Sequence, residues 1–332
     1  MLGKKLFPSF LYHMSQKLLS LVLFICSSNI SHYASAEKFS WHTQAGEYTD
    51  LRFGNKNVVR YVFERMKPDD RERTYKPFHH VFQSDGKGFL TKGPGGKFTH
   101  HRGIYYGFSK CSALNKEGSK VSVDTWHCKR GYQTHEKIIK QQASGKNASH
   151  KVEIAWRVDD GTVFATETRS LSFSYHKDNS LIIDFNSILK TKQESVTLDG
   201  DPQHAGFQFR ASNEVAESSA NNTYYIRPNE GRDKNGATKN WPQNKEMTNI
   251  PWKAQSVVLN NDRYTTVYID HPKNPKPSFY SERNYGRFGS YFRYTLTPTQ
   301  PLTINYRLVI AKAERDEKEC FDLHSEFIAN TR

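Results

Sequence analysis

The sequence predicts an all-β fold, a large antiparallel β-sandwich that carries a short C-terminal helix. Three observations lead to this class. Apolar and polar residues alternate through most of the chain, as they do in strands with one buried face. Clusters of Gly, Asn, Asp and Pro separate these segments, as turns do. Only one segment, near the C-terminus, has the spacing of a helix.

The alternation predicts the strands one by one. It is clearest at residues 152–158 and 304–310, where every second residue is apolar. The same pattern predicts strands at residues 58–64, 121–126, 162–173, 181–189, 256–259, 264–269 and 289–296. Strands this numerous favour two sheets packed face to face, because one open sheet of that width would curl or split.

Two segments depart from the strand pattern. Residues 318–329 place Cys320, Leu323 and Phe327 at helical spacing, which predicts a helix that caps the sandwich. Residues 213–251 are polar and rich in Asn and Glu, which predicts a long loop over one end.

The N-terminus has the pattern of a secretory signal peptide, which we assign to residues 1–36. Lysines precede the apolar run at residues 18–25, and Ala34-Ser35-Ala36 follows it. That run is far shorter than the roughly 20 residues that span a bilayer, so we expect no stable membrane insertion. Residues 37–332 are then a single exported domain, periplasmic or extracellular.

Three cysteines, Cys111, Cys128 and Cys320, remain after the signal peptide is removed. In an oxidising compartment Cys111 and Cys128 could form a disulfide. The alternative is that all three are small core residues.

The charge balance indicates an anionic partner. The chain has 48 Lys and Arg against 34 acids, a formal net charge of +14. Basic stretches are scattered rather than combined with aromatic residues in a nucleic-acid module, and the export signal also argues against a nucleic acid. No phosphate-binding loop or dinucleotide spacing is present.

The first cluster of chemically active side chains is His100, His101 and Arg102, within Thr99–Gly107. If this piece were a strand, the two imidazoles would point to opposite faces, and one of them would enter a site. An imidazole beside an arginine can act as a general acid or base with an anion clamp. The alternative is a buried histidine and an ion-paired arginine.

The second cluster lies between Gly200 and Arg210. His204, Gln208 and Arg210 have even spacing, so an extended chain places them on one face and turns Phe207 and Phe209 to the core. An imidazole, an amide and a guanidinium can hold a carboxylate or a sugar hydroxyl. The alternative is the solvated polar face of an edge strand.

The third cluster begins with Asp270 and His271, which the following prolines place at the end of a strand. A second piece adds a carboxylate, two cations and a phenol, from Glu282, Arg283, Tyr285 and Arg287. Strand ends are where binding groups collect on β scaffolds. The alternative is an ion-paired turn.

Two further features complete the candidates. Trp126 follows Asp124 at strand spacing, which suits sugar stacking and equally suits an ordinary core tryptophan. The sequence has no HExxH, no paired CxxC and no acidic calcium loop, so no motif requires a cofactor. A site assembled from His100 or His101 with His204 and His271 could still hold a divalent metal.

These motifs resemble the PmoA-like family of exported bacterial proteins, often labelled "methane oxygenase PmoA". The matching pieces are HHRGIYYG at 100–107, GDPQHAGFQFR at 200–210, and DHPKNP with SERNYGRFG within 270–289. The resemblance implies a single β-sandwich domain in an exported protein. That sandwich is similar to the supersandwich of galactose mutarotases and polysaccharide lyases, in which one sheet holds sugars.

The sequence therefore predicts an exported carbohydrate-active enzyme, a lyase or hydrolase, that acts on an anionic polysaccharide or oligosaccharide. The residues that we assign to proton transfer are His101, His204, His271 and Tyr285, with Glu282 as a reserve acid. The residues that we assign to the anion are Arg102, Arg210 and Arg287. Further substrate contacts are assigned to His100, Gln208, Asp270, Arg283 and Trp126.

Two alternatives belong to other classes of protein. A noncatalytic glycan-binding module would use Trp126, Trp241 and Trp252 as stacking surfaces. A metal-dependent oxygenase, which the family label suggests, would bind a redox metal tightly.

Overall fold

The computed structural model describes residues 37–329, and the predicted signal peptide lies outside the described residues. The strands, in chain order, are β1 (Phe39–Gln44), β2 (Tyr48–Phe53), β3 (Lys56–Val62), β4 (Phe78–Val81), β5 (Ile104–Phe108), β6 (Lys110–Leu114), β7 (Lys120–Val123), β8 (Gly131–Ser144), β9 (Asn147–Val158), β10 (Val163–Tyr175), β11 (Leu181–Lys190), β12 (Val196–Asp199), β13 (Ala205–Arg210), β14 (Tyr224–Arg227), β15 (Gly231–Arg232), β16 (Trp252–Leu259), β17 (Asp262–Asp270), β18 (Phe279–Arg283), β19 (Arg287–Tyr291), β20 (Tyr294–Leu296) and β21 (Leu302–Ala311). The α-helices are α1 (Arg71–Thr74) and α2 (Glu317–Ala329).

These strands form three antiparallel sheets. An eight-stranded sheet has the order β1-β2-β3-β4-β5-β13-β19-β18, and a nine-stranded sheet has the order β15-β14-β16-β17-β21-β11-β10-β9-β8. A small third sheet has the order β20-β12-β6-β7. The predicted all-β class and its C-terminal helix are confirmed.

The two large sheets pack face to face through aromatic side chains. Phe207 of β13 lies 4.4 Å from Phe185 of β11 and 4.7 Å from Tyr306 of β21, measured between ring centroids. Tyr106 of β5 contacts Trp156 of β9 in the same way. All five rings are buried, and burial of such large apolar surfaces is the main force that holds two sheets together.

Helix α2 covers the other face of the nine-stranded sheet. Its Cys320, Leu323 and Phe327 are buried in a cluster that includes Trp252 and Val309 of the sheet. The helix therefore caps the sandwich, as its spacing predicts. Among the residues that the structure describes, no helix is both long and apolar enough to cross a membrane.

Two segments differ from the sequence prediction. The expected loop at 213–251 contains a π-helix at Val215–Ser219 and the strands β14 and β15. Tyr224 and Ile226 of β14 are buried under helix α2, but the surrounding polar residues hide this short apolar pattern. The single strand expected at 289–296 is divided into β19 and β20, which belong to different sheets.

The cysteines are small core residues rather than disulfide partners. Cys111, Cys128 and Cys320 are all buried and free. The Cys128 thiol donates to the Thr125 carbonyl, and burial raises its pKa to about 12. Thiols with a pKa this high carry little thiolate at neutral pH and therefore react slowly.

Candidate functional site

The outer face of the eight-stranded sheet carries buried polar residues where β5, β13 and β19 lie side by side. Phe207 and Phe288 point into the core between the sheets, so the alternate residues Gln208 and Arg287 point the other way. Arg210 and Arg287 are register partners across β13 and β19, and both side chains are fully buried. The segments that connect the strands cover this face.

Four imidazoles meet above these arginines. We call them the histidine cluster: His100, His101, His127 and His204. The ring of His100 lies 4.4 Å from His101, 4.5 Å from His127 and 5.4 Å from His204, between centroids. The potential ligand nitrogens of His100, His101 and His204 all lie within 4.8 Å of one another. Residues of the first two sequence motifs therefore lie together at one place.

His100 and His101 lie in the turn before β5 and not in a strand. Their rings therefore face each other instead of pointing to opposite sides, which corrects the strand-based expectation. Buried cations hold the turn through its carbonyl groups. Lys76 Nζ donates to the His100 carbonyl at 2.8 Å, and Arg102 donates to the carbonyls of Thr99 and His101. Arg102 thus positions the turn.

Carboxylates orient the other two imidazoles. Asp124 Oδ2 lies 2.8 Å from His127 Nδ1, and Asp201 Oδ2 lies 3.1 Å from His204 Nδ1. A carboxylate at Nδ1 fixes the ring and leaves Nε2 available. Sequence reasoning missed His127, although both pairs share the spacing Asp-x-x-His, which was the signal that could have identified it.

The electrostatic environment keeps the inner imidazoles neutral. Burial, together with His127 and Lys76, lowers the pKa of His100 to about 3. Burial and the nearby Arg287 also hold the pKa of His101 well below its usual value. The Nε2 atom of His100 is buried and has no hydrogen-bond partner among the described residues.

Four buried cations surround the cluster, and none has a carboxylate partner within the described part of the chain. They are Lys76, Arg102, Arg210 and Arg287. The Nη1 atom of Arg210 donates to the carbonyls of Ala211 and Tyr285. Buried charges are normally paired, so a bound anion would stabilise this arrangement.

The hydrogen-bond donors that lack a partner belong to the two register-paired arginines. The Nε and Nη2 atoms of both Arg210 and Arg287 are buried and have no hydrogen-bond partner among residues 37–329. Burial lowers the pKa of Arg210 to about 10 and that of Lys76 to about 7, because no carboxylate of the described residues forms an ion pair with either group to offset its desolvation. Gln208 accepts a hydrogen bond from Arg287 Nη1 at 3.1 Å, so it positions this guanidinium.

Tyr285 of the third motif joins the site. The Arg210 guanidinium lies 4.7 Å from the centre of the Tyr285 ring, and the His101 ring lies 6.5 Å from it. Tyr285 is part exposed, so its phenol can meet a ligand from solvent. Arg287 and Tyr285 are therefore the two members of this motif that reach the cluster.

Asp270 and His271, the first half of the third motif, lie elsewhere. Asp270 is buried and accepts hydrogen bonds from Tyr280, Lys276 and other groups of its own loop, which it holds together. The His271 ring lies 5.7 Å from Phe327 of helix α2. His271 directly follows Asp270, the last residue of β17, and its ring packs beside helix α2.

Glu282 and Arg283 also stabilise the fold and lie outside the histidine cluster. Glu282 is fully buried, and its carboxylate accepts from Arg227 at 2.7 and 2.9 Å and from Lys253 at 3.4 Å. A carboxylate compensated by two cations is not available as a reserve acid. Arg283 donates to Asn240 Oδ1 at 2.7 Å and thereby ties the preceding loop to β18.

Two of the three candidate tryptophans, Trp126 and Trp252, present no stacking surface. Trp126 is only 1% exposed and lies behind the cluster, with its ring 6.0 Å from His101 and 5.1 Å from Tyr105. Trp252 is equally buried, under helix α2. Trp241 stacks on Phe279 at 4.1 Å. Packing demand explains all three positions, and a sugar would find no free face on Trp126 or Trp252.

Comparison with solved structures finds matches of low similarity. An aldose epimerase homologue from C. elegans is 8% identical over 84% of this chain and 100% of that chain, with a TM-score of 0.36. A copper-containing benzylamine oxidase from Hansenula polymorpha is 10% identical over 83% of this chain and 59% of its own, with a TM-score of 0.28. A putative kojibiose phosphorylase from human microbiome is 12% identical over 89% of this chain and 36% of its own, with a TM-score of 0.28.

Sequence comparison identifies the family to which the chain belongs. No curated protein matches the chain. The model of one family matches residues 48–324, which include the histidine cluster, the buried arginines and Tyr285. The chain therefore belongs to the family of unknown function named DUF6807.

Proposed function

We propose that the protein is an exported carbohydrate-active lyase that acts on an anionic glycan. One observation carries the proposal. Buried cations without carboxylate partners lie directly against a cluster of imidazoles, two of which are oriented by carboxylates. Such a site has the parts for binding a carboxylate and for moving a proton next to it.

Arg210 and Arg287 are the groups that we assign to the substrate carboxylate. Each retains two unsatisfied N–H-bearing atoms, and a planar guanidinium matches the two oxygens of a carboxylate. Neutralising the carboxylate of a uronate makes the adjacent C–H more acidic, because the charge that develops on proton removal is stabilised. A small shift of the covering turns is needed to admit the carboxylate, since these atoms are buried.

Proton transfer is assigned to His127 and Tyr285. Asp124 orients the His127 imidazole, whose side chain is 27% exposed, and Tyr285 is also part exposed. In an elimination, the base takes the proton beside the carboxylate and the C–H electron pair forms a carbon–carbon double bond. The bond to the leaving glycosidic oxygen breaks, and an acid protonates that oxygen. His101 and His204 stay within this site as neighbours of the reacting groups.

The arrangement favours a lyase over a hydrolase. Most glycoside hydrolases use two carboxyl groups, one of which is a free acid or nucleophile. Here Asp124 and Asp201 are hydrogen-bonded to imidazoles, and Glu282 is ion-paired. Neither Asp124 nor Asp201 is therefore a free acid or nucleophile at the cluster.

The test is a screen of uronate-containing polysaccharides, with the ultraviolet absorbance of the unsaturated product as the readout. We expect His127→Gln to lower turnover on the accepted polysaccharide by about 10²-fold or more, because proton transfer loses its group. Arg287→Gln should lower it as well. His42→Gln, at an exposed position of β1, is the matched control and should turn over normally.

Two outcomes would contradict the proposal. One is wild-type protein that binds acidic polysaccharides but releases no unsaturated product, which would favour a noncatalytic binding module. The other is a His127→Gln variant that retains the wild-type rate.

A further inference from the structure

We infer that His100, His101 and His204 form a binding site for a divalent transition metal of the zinc type. Their potential ligand nitrogens already lie within 4.8 Å of one another. In a tetrahedral zinc site with nitrogen ligands at about 2.1 Å, the nitrogens lie about 3.4 Å apart. Side-chain rotations that bring these nitrogens up to about 1.4 Å closer together therefore convert this cluster into a metal site with an open fourth position.

A second observation points to a ligand at the same place. The Nε2 atom of His100 is buried and unpartnered within the described chain. Buried polar atoms are nearly always satisfied, and a metal would satisfy this one. His101 beside it is 2% exposed, so two of the three ligands are already out of bulk water.

The surroundings also have the features of an outer coordination shell. Asp201 accepts from His204 Nδ1, which leaves Nε2 as the ligand atom and fixes the ring. Lys76 holds the His100 carbonyl at 2.8 Å and so fixes the turn that carries two of the imidazoles. His127 lies outside the set of three and stays available for proton transfer.

The nearby arginines require that an anion binds together with the metal. A cation beside Arg210 and Arg287 is favourable only if an anion lies between them, because the charges otherwise repel. A substrate carboxylate that binds both the metal and Arg287 meets this condition. This step rests on the proposed function, whereas the metal site itself does not.

The experiment measures Zn²⁺ binding directly. The full chain is stripped with a chelator and titrated with Zn²⁺ by calorimetry, and bound zinc is counted by elemental analysis. We expect one zinc per chain, with affinity reduced at least about 10²-fold in His204→Gln and about tenfold in Asp201→Asn, which removes only an outer-shell partner. His42→Gln is the control and should bind as the wild type does. Thermal unfolding without metal checks that each variant is folded.

The results separate this inference from the proposed function. Wild-type protein without stoichiometric zinc, or an equal loss of affinity in His42→Gln, would overturn the metal site. Lyase turnover by zinc-free protein would support the proposed function and overturn only the step in which the substrate carboxylate binds the metal, not the metal site itself. One zinc bound through His204 without any lyase product would support the metal site and contradict the proposed function.

Discussion

Buried charges of two kinds occur in this protein. Glu282 is compensated by Arg227 and Lys253, and all three side chains are buried. Arg210 and Arg287 are equally buried and have no acid beside them. Since an uncompensated buried charge is costly, the first group stabilises the fold, and the second is retained at a cost that a ligand would offset.

This contrast predicts the effect of replacing Glu282. Glu282→Gln keeps the shape but leaves Arg227 and Lys253 without their shared carboxylate, so we expect a loss of about 3–5 kcal/mol in the free energy of unfolding. Urea unfolding measures it. Glu117→Gln, at an exposed ion pair, should cost less than about 1 kcal/mol. A Glu282→Gln variant that is as stable as the wild type would restore Glu282 as a candidate reserve acid.

At the scale of elements, helix α2 and the nine-stranded sheet bury one another. Leu323 and Phe327 of the helix pack on Trp252 and Val309 of the sheet, while Phe321 on the opposite side of the helix is 54% exposed. The helix therefore stabilises the sheet face that lies away from the candidate site. Its contribution can be changed without touching the histidine cluster.

Phe327→Ala tests that contribution. Removing the buried ring should lower the free energy of unfolding by about 3–5 kcal/mol, because apolar contacts are lost and a cavity remains. Phe321→Ala in the same helix is the matched control and should cost below about 1 kcal/mol. Denaturant titration of both variants decides the matter, and equal losses would show that α2 does not pack as described.

For the whole molecule, buried imidazoles outside the histidine cluster link stability to pH. His79 and His150 contact each other through Nε2 atoms at 3.0 Å, and His80 is buried nearby in β4. Burial lowers the pKa of His80 and His150 to about 3, and that of His135 to about 4. The unfolded chain, with pKa values near 6.5, therefore binds protons before the folded chain does.

The protein therefore loses stability in acid. Stability is fully present above about pH 6.5 and is lost as the pH falls toward 4, by about 1.4 kcal/mol per pH unit for each such histidine. Urea unfolding between pH 7.5 and 5.0 measures the slope. His150→Gln should reduce the slope by about that amount, whereas His42→Gln should not change it. An unchanged slope in His150→Gln would contradict the assignment.

Much of the fold could be predicted because alternation is local information. Strands such as β9 and β21, and helix α2, lie where their spacing predicts. The β14 strand was missed because its four residues are too few for a period to emerge. For the site, His100, His101, His204, Arg210, Arg287 and Tyr285 were predicted and do converge. The family resemblance to PmoA-like proteins and the export of the chain stay predictions.

Residue types and their periods, by themselves, determined that this chain folds into two packed antiparallel sheets, and they identified imidazole, guanidinium and phenol groups as the candidate site residues. Only the tertiary structure decided which of those groups meet. His127 enters the cluster because the turn after β7 packs against the turns before β5 and β13, a contact between segments far apart in the chain. His271 and Glu282 are excluded because register and packing direct them to helix α2 and to Arg227, and no local pattern encodes such long-range contacts.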